Sequence, residues 1–219
     1  MENFGLTDWD DVEIKTGNRT QTKAEYMRLK EGDNVIRLLT KPHEFKVHSY
    51  KAHPDDPGFG KRILSSIYHG SDPLIDAGSK PKRRWLLGII DRSTQSYKLL
   101  DISVTVFKAI QGLVRDEDWG EPTQYDINIK VDKNGGATGY YSVIPKSKKP
   151  LSAADIEIKE KIDLEDIKRR CTPPTPEKVL ELMNDVNAKS PNFKKGTAVT
   201  AQKDSSEDDD FPSADGSDE

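Results

Sequence analysis

Basic and aromatic residues interleave through the first half of this chain. Lys46, His48 and Tyr50 recur at a spacing of two, and Lys51 follows at once. Lys61, Arg62 and Tyr68 share the next apolar segment. Lys82, Arg83 and Arg84 lead into Trp85, and Arg92, Tyr97 and Lys98 come after it. Single-stranded nucleic acid asks for this pairing, because cations track the phosphates while ring faces stack on bases, each stack worth roughly 1–3 kcal/mol. On this reading Lys46, Lys51, Lys61, Arg62, Lys82, Arg83, Arg84, Arg92 and Lys98 contact phosphates, and Tyr50, Tyr68, Trp85 and Tyr97 stack. The plainer alternative makes KPKRR a solvated run and Trp85 a core residue. As a set, the interleaving favours binding.

Charge placement agrees. The 219 residues hold 34 Lys and Arg against 38 Asp and Glu, a net charge of −4. Eight of the acidic residues and none of the basic ones fall in residues 204–219. The remainder, residues 1–203, is therefore +4, and residues 15–98 alone hold 17 basic against 9 acidic residues. A basic block followed by an acidic tail points to a polyanionic partner. Tethered to that block, the tail is expected to compete for the DNA groove at high local concentration, or to recruit partner proteins. Asp208, Asp209, Asp210 and Phe211 are its candidate contact residues, since a purely solubilising tail has no use for the phenylalanine.

Catalytic and metal chemistry are weaker readings. Asp8, Asp10 and Asp11 suggest metal-binding carboxylates, but no second carboxylate cluster accompanies them, and they read as a solvated arm. His43, His48, His53 and His69 with Cys171 match no familiar zinc spacing. Phosphate loops, nucleophile elbows and CxxC pairs are absent from the sequence. The expectation is a protein without enzymatic activity, cofactor or metal. With one cysteine there is no intramolecular disulfide. A third of the residues are hydrophobic, mean hydropathy is −0.78, and no apolar run nears the ~18 residues a membrane span needs. The first residues, MENFGLTDWDD, lack the basic-then-apolar order of a signal peptide. An intracellular protein with no membrane partner is expected.

The elements that must position these side chains are short strands. Residues 34–40, 44–51, 61–69, 82–91 and 96–103 are predicted strands, bounded by turn residues. Within 44–51, Phe45 and Val47 point one way and Lys46, His48 and Tyr50 the other. The period then changes: Val106, Phe107, Ile110, Leu113 and Val114 predict an amphipathic helix over residues 105–115. Alternation returns over 124–130, Asn134-Gly135-Gly136 suits a hairpin turn, and 138–144 is the return strand, stopped by Pro145. Helical stretches at 152–162 and 176–187 flank a proline cluster. The helix at 105–115 carries only Lys108 and Arg115, so it packs rather than reads a duplex. The expected class is mainly β (α+β): an OB-fold-like Greek-key β-barrel with an inserted amphipathic helix, C-terminal helices and a disordered acidic tail. The expected divisions are a flexible arm over 1–24, the DNA-binding core over 25–150, a helical extension over 151–190 and the tail over 191–219.

Residues 26–39 (YMRLKEGDNVIRLL) and 80–114 (KPKRRWLLGIIDRSTQSYKLLDISVTVFKAIQGLV), continued by EPTQYDINIKVDKNGGATGYYSVIP at 121–145, resemble the helix-destabilising single-stranded DNA-binding proteins of T-even-type phages. The resemblance covers residues 26–145 and implies an oligonucleotide-binding barrel. It implies a protein that coats exposed strands in phage DNA replication, recombination and repair, within the cytoplasm of an infected bacterial host. Its partners would be single-stranded DNA, replication and recombination proteins reached through the tail, and further copies of itself. Lys15, Arg19, Thr20 and Lys23 are similar to a degenerate form of the family's basic self-association element. Known members hold zinc between the early strands and the basic-aromatic strand. Here that interval, YHGSDPLIDAGSKPKRR, keeps His69 and no cysteine, which implies a zinc-free variant whose loop is ordered by packing or by DNA. The alternative outside this class is an RNA- or protein-binding regulatory adaptor on a β-barrel.

Overall fold

The computed structural model describes residues 24–193. Seven strands, β1 (Gly32–Leu38), β2 (His43–Tyr50), β3 (Lys61–Leu64), β4 (Lys82–Asp91), β5 (Ser96–Ile102), β6 (Tyr125–Val131) and β7 (Tyr141–Lys148), form one antiparallel sheet. Ten-residue β4 is its spine. Along one edge β2 pairs with Lys82–Leu86 and β1 with Ile89–Asp91, while β5 pairs along the other. The chain kinks between β1 and β2 over Gly88, whose N–H donates to Thr40 Oγ1 at 2.9 Å. A Cβ at Gly88 would lie 3.0 Å from both Thr40 and the Tyr97 ring, so only glycine lets the kink close down. Beyond β1 the sheet continues through β6 to β7.

Among the described residues six α-helices accompany the sheet: α1 (Pro73–Asp76), α2 (Val104–Arg115), α3 (Gly136–Gly139), α4 (Ala153–Glu160), α5 (Leu164–Cys171) and α6 (Pro176–Lys189). Cross-strand partners share a face, so the registers sort the core. On the front face, Ile36, Leu38, Trp85, Leu87, Ile89, Leu100, Tyr125, Ile127 and Ile129 pack under Val106 and Ile110 of α2. Each fully buried aliphatic side chain there contributes about 1.5–3 kcal/mol. On the back face Phe45, Val47, Leu86 and Leu99 meet Ile167 and Cys171 of α5. A third cluster joins Tyr50, Ile63 and Leu74 to Val179 of α6. Among the described residues no helix is long and apolar enough to cross a membrane.

The expected barrel is corrected in one respect: the sheet is mainly antiparallel within an α+β chain, but it does not close. Among the described strands β3, β5 and β7 each pair with a single neighbour and remain its unjoined edges. The outer edge of β5 is taken by residues 25–27 instead, with Met27 N–H donating to Leu99 O and Leu99 N–H to Glu25 O, both at 2.8 Å. β7 runs through Pro145 rather than stopping there, which an edge strand permits because the missing N–H faces outward. The predicted strand at 61–69 ends at Leu64 and gives way to a 3₁₀ turn at Ile67–His69. Residues 164–171, not anticipated as a helix, form α5. They offer only Ile167 and Cys171 as buried anchors, too few for a visible period. The end signals were nevertheless present. Asp163 accepts from the N–H groups of Glu165 and Asp166, and Lys168, Arg169 and Arg170 complement the last turn.

Candidate nucleic-acid interface

Alternation along β4 divides its basic run. Arg83 shares the front face with Trp85, whereas Lys82 and Arg84 point to the back. Lys46 of β2 sits directly opposite Arg83, and Glu44 opposite Trp85. Tyr68, carried on the turn after β3 and 59% exposed, brings its ring to 5.3 Å from Lys46 Nζ. Arg83 lies over the Trp85 ring, 5.5 Å from its centroid. Lys46, Tyr68 and Arg83 thus form one patch at the front of the sheet. Glu44 restrains it, gripping Arg83 through Nε–Oε1 at 3.1 Å and Nη2–Oε2 at 2.7 Å. That hydrogen bond and charge raise the pKa of Arg83 further.

What holds Tyr68 in place is Asp72. Its buried carboxylate accepts from Ser65 Oγ (2.5 Å), Ser66 N–H (3.0 Å), Leu74 N–H (2.9 Å) and His48 Nε2 (3.1 Å). Because Nε2 must donate to that carboxylate, neutral His48 leaves Nδ1 to accept from Ser79 Oγ at 2.9 Å. Both ring nitrogens are satisfied without a second proton. Burial lowers the pKa of His48 and outweighs the pull of Asp72 upward. Burial pushes Asp72 up, but the bonds from Ser65 and Leu74 and the nearby imidazole outweigh it, so its pKa falls. These contacts also stop β3: Ser65 N–H still donates to Lys46 O of β2 at 2.9 Å, but Ser66 N–H turns to Asp72 and leaves the ladder.

The interval where the T-even resemblance would place zinc is therefore organised by a carboxylate hub. Its residues do not fit a metal: His48 is committed to Asp72 and Ser79, and His69 Nε2 lies 3.2 Å from Pro173 O. Cys171 is buried in the back core, its thiol pushed up to about 11 by burial. Among the described residues no group of three or more His, Cys, Asp or Glu could hold a metal ion.

Other candidates are dispersed. Trp85 is 5% exposed and stacks on Phe107 of α2, with centroids 4.0 Å apart and planes 3° from parallel. Tyr50 is buried, its hydroxyl donating to Asn187 Oδ1 at 2.8 Å. In this conformation neither ring offers a face to a base. Tyr97 is half-buried beside α5, and burial pushes its hydroxyl up to about 12. Arg62 and Arg84 converge on Asp101 of β5 at 2.5 and 2.8 Å. Arg92 is a bracket rather than a free cation, binding Asp126 of β6 at 3.0 Å and Asp155 of α4 at 2.7 Å. Lys98 pairs with Asp91 at 2.8 Å; burial pushes Asp91 upward, but Lys98 and Ser93 hold it at about 2. Lys51 donates to Asp56 O and Lys61 pairs with Asp185. Lys82 projects from the back. Asp208, Asp209, Asp210, Phe211 and the acidic arm residues Asp8, Asp10 and Asp11 lie outside the described residues.

Two features escaped sequence reasoning. Phe59, in the loop between β2 and β3, is 96% exposed; its signal was an aromatic inside PGFG, where turn residues advertise a loop tip. Lys146, Lys148 and Lys149, at the end of β7, are exposed and form no ion pair within the described residues. Their signal was KSKK itself, without a neighbouring carboxylate.

No family model matches the chain. A 56-residue stretch, 26% of the chain, is 32% identical to a protein of Escherichia phage T5 named a probable ssDNA-binding protein. The match spans about a fifth (21%) of that relative's own length. It bears on single-stranded DNA binding, not on the T-even type in particular.

Proposed function

We propose that this chain binds single-stranded DNA with little sequence specificity and catalyses no reaction. One observation carries the reading: the exposed Tyr68 ring is held beside half-buried Lys46 and exposed Arg83 at the front of the sheet. A base can stack on the ring while the cations meet phosphates on either side. The partial likeness to the phage T5 protein supports the same ligand. The order of a β4–β5 hairpin, helix α2 and a β6–β7 hairpin around one core supports an opened relative of the OB-fold. In this reading the protein coats exposed strands during phage replication, recombination and repair in the host cytoplasm. Its acidic tail competes for the patch until DNA displaces it, then recruits replication and recombination proteins.

Titration of labelled oligo-dT against an equal-length duplex tests this. Single strands should bind more tightly, with affinity falling steeply as salt rises because bound phosphates release counterions. Equal or tighter duplex binding would sink the idea, and preference for RNA of the same sequence would favour a regulatory adaptor. Tyr68→Ala should weaken oligo-dT binding by about tenfold. Removing residues 204–219 should strengthen it; unchanged affinity at low salt would dispose of self-competition.

Glu44 provides a change in the opposite direction. Glu44→Ala frees Arg83 from a partly exposed ion pair worth about 0.2–1 kcal/mol, so affinity should rise by a factor of about 1.4 to 5 at low salt. The gain should shrink as salt is added, a trend readable by fluorescence anisotropy.

A further inference from the structure

The loop between β2 and β3 displays Phe59 with nearly its whole ring in water, yet the loop is tightly braced. Ser49 Oγ donates to the Phe59 carbonyl. Asp56 accepts from His53 N–H (3.1 Å), Ser190 Oγ (2.8 Å) and Asn192 Nδ2 (3.1 Å), while its carbonyl accepts from Lys51 Nζ (2.9 Å). Gly60, at φ +79°, closes the tip; a Cβ there would come within 2.6 Å of the Tyr50 carbonyl oxygen. A braced backbone thus fixes an apolar ring that is 96% exposed among the described residues. Beside it runs a groove bordered by Lys51, Lys61 and Lys189, with Asp185 shared between the last two.

We infer that Phe59 is a second base-stacking post for single-stranded DNA, a statement that rests on the function proposed above. The two most exposed aromatic rings of the described residues, Phe59 and Tyr68, stand at opposite ends of β3. Among the described strands β3 pairs with β2 alone, so its other edge has no strand partner there. The four residues of β3 that lie between the posts run roughly 13 Å, and Lys61 and Arg62 belong to them. A strand of DNA passing along this edge meets a ring, then Lys61 and Arg62, which exchange Asp185 and Asp101 for phosphates, and then a second ring. The lysines around Phe59 favour a phosphate-bearing ligand over a protein pocket, because lysine is depleted at protein–protein interface cores.

The test is a ladder of oligo-dT from about 4 to 16 nucleotides, the span of known site sizes, titrated against the full chain and its Phe59→Ala and Phe59→Tyr variants. The ring is almost wholly exposed among the described residues, so Phe59→Ala should unfold at the same denaturant concentration as the wild type. It should bind the longest oligonucleotide about tenfold more weakly. The shortest oligonucleotide the wild type binds, held at Tyr68, should be affected little. Phe59→Tyr should restore affinity at every length, and an iodouracil-containing oligonucleotide should photocrosslink to Phe59. Equal binding by Phe59→Ala at all lengths would overturn the inference while leaving the function standing. A change in oligomeric state with unchanged oligo-dT affinity would overturn it in favour of a protein contact. Failure of the wild type to bind any of the ladder would remove the function and this inference together.

Discussion

Trp85→Ala should lower the stability of the protein by about 3–5 kcal/mol, the usual cost of deleting a large buried aromatic side chain. The indole fills space between β4 and α2, stacked face to face on Phe107, and Ile102 lies directly across from it on β5. Sheet and helix are both pinned by other contacts, so the void cannot collapse. Urea denaturation followed by circular dichroism reads the loss as a lower midpoint with unchanged slope. Trp85→Phe should recover much of it and bind oligo-dT nearly as the wild type does. A Trp85→Ala protein of normal stability that had lost DNA affinity alone would return Trp85 to the role of a stacking residue.

The second large effect is expected at Asp72. Asp72→Ala strands His48 Nε2–H, the Ser65 hydroxyl and the N–H groups of Ser66 and Leu74 in a buried site. Each unsatisfied donor costs about 1–3 kcal/mol before relaxation, so a net loss of about 3 kcal/mol is expected. Because Tyr68 hangs from this turn, DNA affinity should fall as well. The pH dependence follows from the two lowered values. Unfolded His48 takes up a proton near its ordinary 6.5 while the folded form resists, so stability is intact above that pH and declines as pH falls below it. Asp72 contributes stability present above its ordinary 3.8 and lost as pH falls through its lower folded value. Urea midpoints from pH 8 to 3 should therefore fall monotonically on the acid side. In Asp72→Ala the loss below pH 4 should be smaller, and a parallel pair of curves would count against the hub.

Much of the scaffold was legible because its signals lie between near neighbours. The strand at 82–91 coincides with β4, and the helix at 105–115 differs from α2 by one residue. In both, apolar periodicity and the residues that end it are local. The strand drawn through Ser65 and Ser66 failed for the opposite reason: the group that captures them, Asp72, comes after an intervening turn. The site was less legible than the scaffold. Lys82, Arg83 and Arg84 read as one basic track, but a period of two sends Arg83 to one face and its neighbours to the other. Trp85 satisfied the pattern for stacking and for packing equally, and only the tertiary structure brings Phe107 of α2 onto its ring.

By itself the sequence determined the alternation of short strands, the single amphipathic helix between two hairpins, and the separation of a basic block from an acidic tail. Chain neighbours suffice for these, since backbone sterics and side-chain period act over a few residues. The tertiary structure alone decided which cations remain available. Arg92 is neutralised by carboxylates 34 and 63 residues away, and Arg84 by one 17 away. Coulomb attraction acts on distance in space, and that distance exists only after the sheet has brought its strands together.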